Sequence, residues 1–148
     1  CQDDDLVLPD GPTAKDRVID SDRVEIFFAP GLSLKPYFCL EMSPRCDVLA
    51  YEARFYREMN WDWHCEGLQI TAHIENNHYT VSGSIPLDTL RQLKVLCSRE
   101  MHAGIYRAEF HHKPDGSVHS GWMPWVNPHT ERPDFHVPSS FGVLELVD

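Results

Sequence analysis

Hydrophobic and polar residues alternate in several short runs along the chain, the pattern of β-strands with one covered face. Val24, Ile26 and Phe28 share a face in the run 23–29, and Phe38, Leu40 and Met42 do so in 37–42. The run 47–56 continues with Leu49, Tyr51, Ala53 and Phe55. The cleanest alternation, 68–75, sets Leu68, Ile70, Ala72 and Ile74 against Gln69, Thr71, His73 and Glu75. Asn76-Asn77 then supplies a two-residue turn tolerant of positive φ, before Tyr79, Val81, Gly83 and Ile85. That arrangement predicts a β-hairpin. One short helix is expected at 86–94, with Pro86 near its start and Leu87, Leu90 and Leu93 on one face. Strands resume at 104–111 and 142–147, while residues 1–21, with Pro9, Gly11 and Pro12, read as a loop. The stretch 112–141, rich in Pro, His and Trp, reads as a long loop of the kind that carries function. Many short strands with one small helix predict an all-β fold, an antiparallel β-sandwich of two sheets.

Composition narrows the partners. The 148 residues suit one domain, 1–148, that can hold a core without disulfides or metal. Lys and Arg number 13 against 23 Asp and Glu, a formal net charge of -10. A nucleic-acid binder needs cations to displace counterions from phosphates, so nucleic acid is disfavoured, as are anionic membrane surfaces. A neutral ligand suits this balance. The five cysteines (Cys1, Cys39, Cys46, Cys65 and Cys97) are irregularly spaced, with no CxxC pair, and argue against a disulfide framework. No apolar run is long enough to span a bilayer as a helix. Cys1 followed by Gln2-Asp3-Asp4-Asp5 has two readings, a lipid-bearing mature N-terminus or a chain that starts partway through a domain.

Charged residues interrupt strands that otherwise read as internal. Glu25 lies between Val24 and Ile26, Arg107 between Tyr106 and Ala108, and Glu41 and Arg54 are similar cases. Each sits opposite the more apolar set of its own strand. If these strands form one sheet, its second face carries a row of carboxylates and guanidiniums. Such a row is either a ligand face, a solvated outer face, or a buried Glu–Arg pairing that fixes register.

The four tryptophans fall into two clusters, Trp61/Trp63 and Trp122/Trp125. Sugar rings stack their C–H faces on indole planes, and their hydroxyls need bidentate polar partners, so indoles beside Glu and Arg suit carbohydrate. For Trp61 and Trp63 core and ligand readings stand equal, because tryptophans also bury large areas in cores. Trp122 and Trp125, in a Pro-containing loop, favour the ligand reading. The nine histidines show no zinc spacing. Calcium stays open, because acidic loops at Asp3–Asp5, Asp20/Asp22 and Asp134 carry the oxygen ligands it prefers. The metal content is otherwise unknown from sequence, and no cofactor is required.

Three segments carry a resemblance: Asp20-Ser21-Asp22-Arg23-Val24-Glu25-Ile26-Phe27-Phe28, then Ile105-Tyr106-Arg107, then Ser120-Gly121-Trp122-Met123-Pro124-Trp125 with Pro133-Asp134-Phe135-His136-Val137-Pro138 and Phe141-Gly142. With Tyr37-Phe38-Cys39-Leu40-Glu41 and Ile85-Pro86-Leu87, they resemble the family 9-like carbohydrate-binding modules, within the wider group of DOMON-like β-sandwiches. The resemblance spans roughly residues 20–145. It implies binding of sugar ends or polysaccharide, without catalysis, often beside a glycoside hydrolase in carbohydrate catabolism, and an extracellular, periplasmic or cell-surface setting. It also implies a Glu that hydrogen-bonds the sugar, here Glu25, and a pair of stacking tryptophans, for which Trp122 and Trp125 are the candidates. Family members carry further strands before the acidic loop, which favours a chain lacking its N-terminal strands over a lipid anchor. The expected sugar-binding set is therefore Glu25, Glu41, Arg54, Arg107, Trp122 and Trp125.

Two other functions compete. DOMON-like sandwiches include haem b electron-transfer proteins, which need axial ligands such as Met and His in one pocket. Glycoside hydrolysis needs a spaced carboxylate pair, and nothing in the sequence marks one. An accessory domain that has lost sugar binding is the remaining alternative.

Overall fold

The computed structural model describes residues 1–147. Among the described residues nine strands and two short α-helices follow one another as α1 (Ala14–Val18), β1 (Arg23–Ala29), β2 (Tyr37–Met42), β3 (Val48–Arg54), β4 (Glu58–Asn60), β5 (Gln69–Glu75), β6 (His78–Ser84), α2 (Leu87–Gln92), β7 (Glu100–His112), β8 (Val118–Pro124) and β9 (Gly142–Glu145), with a single 3-10 turn at Pro138–Ser140 before β9. A seven-stranded antiparallel sheet runs β4-β3-β2-β1-β7-β8, with β9 also paired to β7, and the β5–β6 hairpin forms a second sheet. This is the expected antiparallel sandwich, with the expected turn at Asn76-Asn77 and a helix inside the expected 86–94.

The central strands are apolar on both sides, and each side has its own packing. Phe28, Phe38, Leu40 and Met42 point toward the hairpin and α2, where Leu68, Ile70, Val81 and Leu90 meet them. Phe27, Tyr37, Cys39, Leu49, Tyr51 and Tyr106 point the other way and are covered by Phe135 and Phe141 from the C-terminal segment. Phe27 sits at the centre of that second cluster, with ring centroids 4.9 Å from Tyr106 and 5.2 Å from His136. Tyr106 stacks on Phe135 at 4.2 Å, and its hydroxyl meets Ser140 Oγ at 2.8 Å. A Cβ at Gly104 would collide with the Tyr106 ring, so the glycine lets that ring fold back over its own strand.

Two expectations about loops are corrected. The 112–141 stretch contains β8, whose residues Val118-His119-Ser120-Gly121-Trp122-Met123-Pro124 are too polar and exposed to show alternation. It lies at the sheet's edge, where only one side of the strand needs pairing and Pro124 is tolerated. Residues 1–21 contain α1, whose start was legible after all. Thr13 and Asp16 form a capping box, the Thr13 hydroxyl accepting from Asp16 N and the Asp16 carboxylate accepting from Thr13 N.

The segment before β1 is tied down at both ends. Asp22 is fully buried, and its carboxylate accepts from Val7 N at 2.7 Å and Phe110 N at 2.9 Å. Burial, offset by those two hydrogen bonds, pushes its carboxyl up to about 6. Residues 1–3 run beside β6, with Tyr79 N donating to Cys1 O and Asp3 N to Asn77 O, both at 2.9 Å. All five cysteines are free.

Candidate functional site

A hollow of about 390 Å³ opens on the Phe27 side of the large sheet, within the range of small-ligand sites. Its floor is built by strand parity. Arg23 and Glu25 are two apart on β1 and so share a face, and Glu41 of β2 is the direct cross-strand partner of Glu25. Tyr51 of β3 completes the floor. All four are buried, the three charged groups to between 3% and 6% exposure.

Arg23 organises these groups. Its Nε lies 2.8 Å from Glu25 Oε1 and 2.8 Å from Glu41 Oε2. Its Nη1 donates to the carbonyls of Val18, Ile19 and Ser21, at and just past the end of α1, where free carbonyls collect. The Tyr51 hydroxyl donates to Glu41 Oε1 at 2.7 Å. Burial and the charge of Glu41 push Glu25 up to about 8, against the pull of Arg23.

Two indoles wall the hollow from opposite edges of the sheet. Trp122 on β8 stands against Phe110 and Phe135, with Arg23 Cζ 5.3 Å from its ring. Trp61, just past β4, packs on Tyr51 at 4.8 Å and carries the Lys15 ammonium 3.9 Å over its ring. Both indoles remain substantially exposed, 44% for Trp61 and 37% for Trp122. Asp20, Arg57, Met59, Ser120 and Pro133 form the rim. Arg57 is held by Asp134 at 2.8 Å, and the Tyr56 hydroxyl also donates to Asp134, at 2.6 Å. His136 closes one side with its Nδ1 2.8 Å from the Tyr37 hydroxyl, and burial drops its pKa to about 3, so it is neutral.

The structure brings Glu25, Glu41 and Trp122 together in this hollow and places Arg107, Arg54 and Trp125 outside it. The parity argument fails for the two arginines because the apolar set changes sides between strands. On β1 and β2 the set used for reference, Val24, Ile26, Phe28, Phe38, Leu40 and Met42, faces the hairpin, so its opposite is the hollow. On β3 and β7 the reference sets, with Tyr51, Ala53, Tyr106 and Phe110, face the hollow side, so Arg54 and Arg107 point away from it. Arg107 instead binds Asp3 at 3.0 Å and Glu109 at 3.2 Å, with Tyr79 beneath its guanidinium. Arg54 is exposed at the β3–β4 edge. Trp125, one residue past β8, packs over Gly142 of β9.

Sequence reasoning missed Arg23, although its spacing of two from Glu25 already put both on one face. It also missed Tyr51, Arg57 and His136 as lining residues. The Trp61/Trp63 pair divides between its two readings. Trp61 borders the hollow, while Trp63 packs on Phe38 in the hairpin-side core at 5.0 Å. Among the described residues no group of three or more His, Cys, Asp or Glu is arranged to hold a metal ion.

The model of the carbohydrate family 9 binding domain-like family matches residues 3–148. Among solved structures, one from Bacteroides uniformis ATCC 8492, titled a "putative carbohydrate-binding protein", superposes with a TM-score of 0.66 at 18% identity, over 95% of this chain and 67% of that one. At that identity the likeness speaks for the fold. No curated protein matches the chain. The family match covers nearly the whole sequence, and the chain belongs to the family 9-like carbohydrate-binding domains.

Proposed function

We propose that the hollow between Trp61 and Trp122 seats a pyranose ring, and that the domain holds the sugar without cutting it. The observation that carries this reading is the meeting of two half-exposed indoles with a buried Arg23–Glu25–Glu41 floor in one cavity of about 390 Å³. The indoles offer flat apolar planes to a ring's C–H faces, and the floor offers charged hydrogen-bond partners to its hydroxyls. The larger hollow on the hairpin side, about 550 Å³, is lined mainly by Val, Ile and Leu and offers no comparable set of converging polar groups. A role beside a glycoside hydrolase outside the cell fits this reading. So does a floor already committed to internal ion pairs, which suits binding better than turnover.

Calorimetric titration of the whole chain against monosaccharides and short β- and α-linked oligosaccharides tests the proposal. Binding is expected for at least one ligand and is expected to be weakened by about tenfold or more in both Trp61→Ala and Trp122→Ala. Unchanged affinity in both variants would remove the hollow from consideration. Met59 and His136 both border the cavity and keep haem as the competing ligand. A Soret band shifted and sharpened relative to free haem when haem is added to the purified chain, with the shift abolished by His136→Ala, would overturn the sugar reading.

A further inference from the structure

Trp122 borders two hollows. The second, about 410 Å³, lies against the segment that follows β8, and it shares Trp122, Pro133 and Phe135 with the first as common lining. The charged floor of Arg23, Glu25 and Glu41 belongs to the first hollow alone. The indole is therefore a partition between two adjoining spaces. It stands on β8, the last strand of its sheet, and stays 37% exposed. Among the described residues no further strand pairs with the outer side of β8, so the way past the indole is open.

The second hollow has its own chemistry. Pro124, Pro128 and Pro133 give it rigid hydrocarbon walls beside the indole, and Asn127 and Thr130 supply its polar atoms. No charged side chain among the described residues lines it. Asn127 Oδ1 accepts from His129 N at 2.8 Å, which fixes the carboxamide and leaves Nδ2 as a donor. The Thr130 hydroxyl donates to Arg132 O at 2.7 Å, so its oxygen still accepts. The segment is pinned at two more points, Trp125 N donating to Ile105 O at 2.8 Å and Ser139 Oγ to Pro128 O at 2.8 Å. A neutral ring with hydrocarbon faces and peripheral hydroxyls fits such walls and such a donor and acceptor, and the ordering of these side chains is already done before it arrives.

We propose that the second hollow seats the next sugar unit of the same chain, so that the domain takes an oligosaccharide across Trp122, with one ring on either side of the indole, in preference to a single pyranose. This rests on the carbohydrate reading of the first hollow. The two seats differ in what they read. The first holds its ring against buried charge, and the second holds its ring by apolar contact with one neutral donor and one neutral acceptor. Trp122 serves both, whereas Trp61 serves the first alone.

The test is calorimetric titration of the full chain with β-1,4-linked glucose, xylose and mannose series and an α-1,4-linked glucose series, each from one unit to four. In the series that binds, affinity should rise by about tenfold or more from one unit to two or three and then level off. Asn127→Asp keeps the acceptor that holds His129 N and removes the Nδ2 donor. It should cost the two-unit and longer ligands about three- to tenfold while leaving the single pyranose unchanged. Trp122→Ala should cost the longer ligands at least about threefold more than it costs the single ring, and Trp61→Ala should cost both alike.

A single pyranose that binds as tightly as every longer member of its series overturns the second seat and leaves the first in place. A gain with length that survives Asn127→Asp puts the next ring elsewhere and also overturns it. Equal losses for one unit and for several in Asn127→Asp overturn it as well, because the side chain then acts on the first hollow through the loop. Absence of binding throughout all four series overturns the first seat together with the second.

Discussion

The two faces of the seven-stranded sheet are built from the same strands and solve different problems. Toward the hairpin, β1 and β2 present Val24, Ile26, Phe28, Phe38, Leu40 and Met42, an unbroken apolar layer. Toward the hollow, the residues between them are Arg23, Glu25, Phe27, Tyr37, Cys39 and Glu41, polar at one end and aromatic at the other. The first face stabilises the fold by removing hydrocarbon from water. The second buries charge, which costs stability unless every group finds a partner. One strand pair therefore carries both the glue and the recognition chemistry, and residue parity alone assigns a side chain to one or the other.

Breaking each face should have its own signature. The largest effect is expected from Arg23→Met, which leaves Glu25 and Glu41 buried without a counterion. A loss of about 3–5 kcal/mol in denaturant unfolding is expected, with sugar binding gone. Leu40→Ala, on the hairpin face and fully buried, should cost about 2–5 kcal/mol. In contrast to Arg23→Met, its surviving folded fraction should bind sugar with unchanged affinity. If Leu40→Ala weakened affinity as much as stability, the two faces would not be separable.

Smaller substitutions sharpen the division. Trp61→Ala and Trp122→Ala should weaken affinity by about tenfold or more, 1.4 kcal/mol per tenfold, with stability changed less than in the two variants above. Lys15→Ala removes a cation–π contact within the chain worth about 0.5–1 kcal/mol, a loss expected in denaturant unfolding. Arg54→Ala, at the exposed edge, should change stability by no more than about 0.5 kcal/mol and leave affinity alone. Trp125→Ala should likewise leave affinity alone, because its ring packs on Gly142.

Stability against pH carries a further sign. The folded state keeps the Glu25 proton to about pH 8, while an unfolded chain releases it in the ordinary carboxylate range near 4.5. Between those values the folded form binds more protons, so this group's contribution is fully present below the lower value and lost as pH rises to the upper one. His136 acts in the opposite direction. Its pKa falls from 6.5 to about 3 on folding, so its contribution is present above 6.5 and lost toward 3. Thermal unfolding of Glu25→Gln compared with wild type should therefore show a difference that moves in the variant's favour from pH 5 to pH 8 and then levels off.

The fold was legible where a strand is covered on at least one side. The runs at β1, β2, β3, β5 and β6 alternate because burial demands it, and Pro86 with the spaced leucines marks α2. β8 was not legible, because an edge strand whose residues are mostly exposed has no apolar face to announce it. The site was half legible. Glu25 and Glu41 stood out as charges inside apolar runs, and Trp122 as an indole in a segment with no core pattern. Arg107 had the same outward sign as Glu25 but belongs to a separate cluster with Asp3 and Tyr79. Nothing within a single strand distinguishes the two, because the answer depends on which face of each strand its neighbours cover. Trp61 depends on a turn after β4, which no alternation describes.

Arg23 is fastened at one edge to the carboxylate floor and at another to the carbonyls following α1. Occupation of the hollow should therefore be felt by the backbone of residues 15–21, which line little of it themselves. Their amide protons, among them Ile19 N on Lys15 O and Ser21 N on Val18 O, become a natural gauge of ligand arrival. Slower deuterium uptake across that turn, with rates in the β5–β6 hairpin unaltered, would report an occupied site without any label.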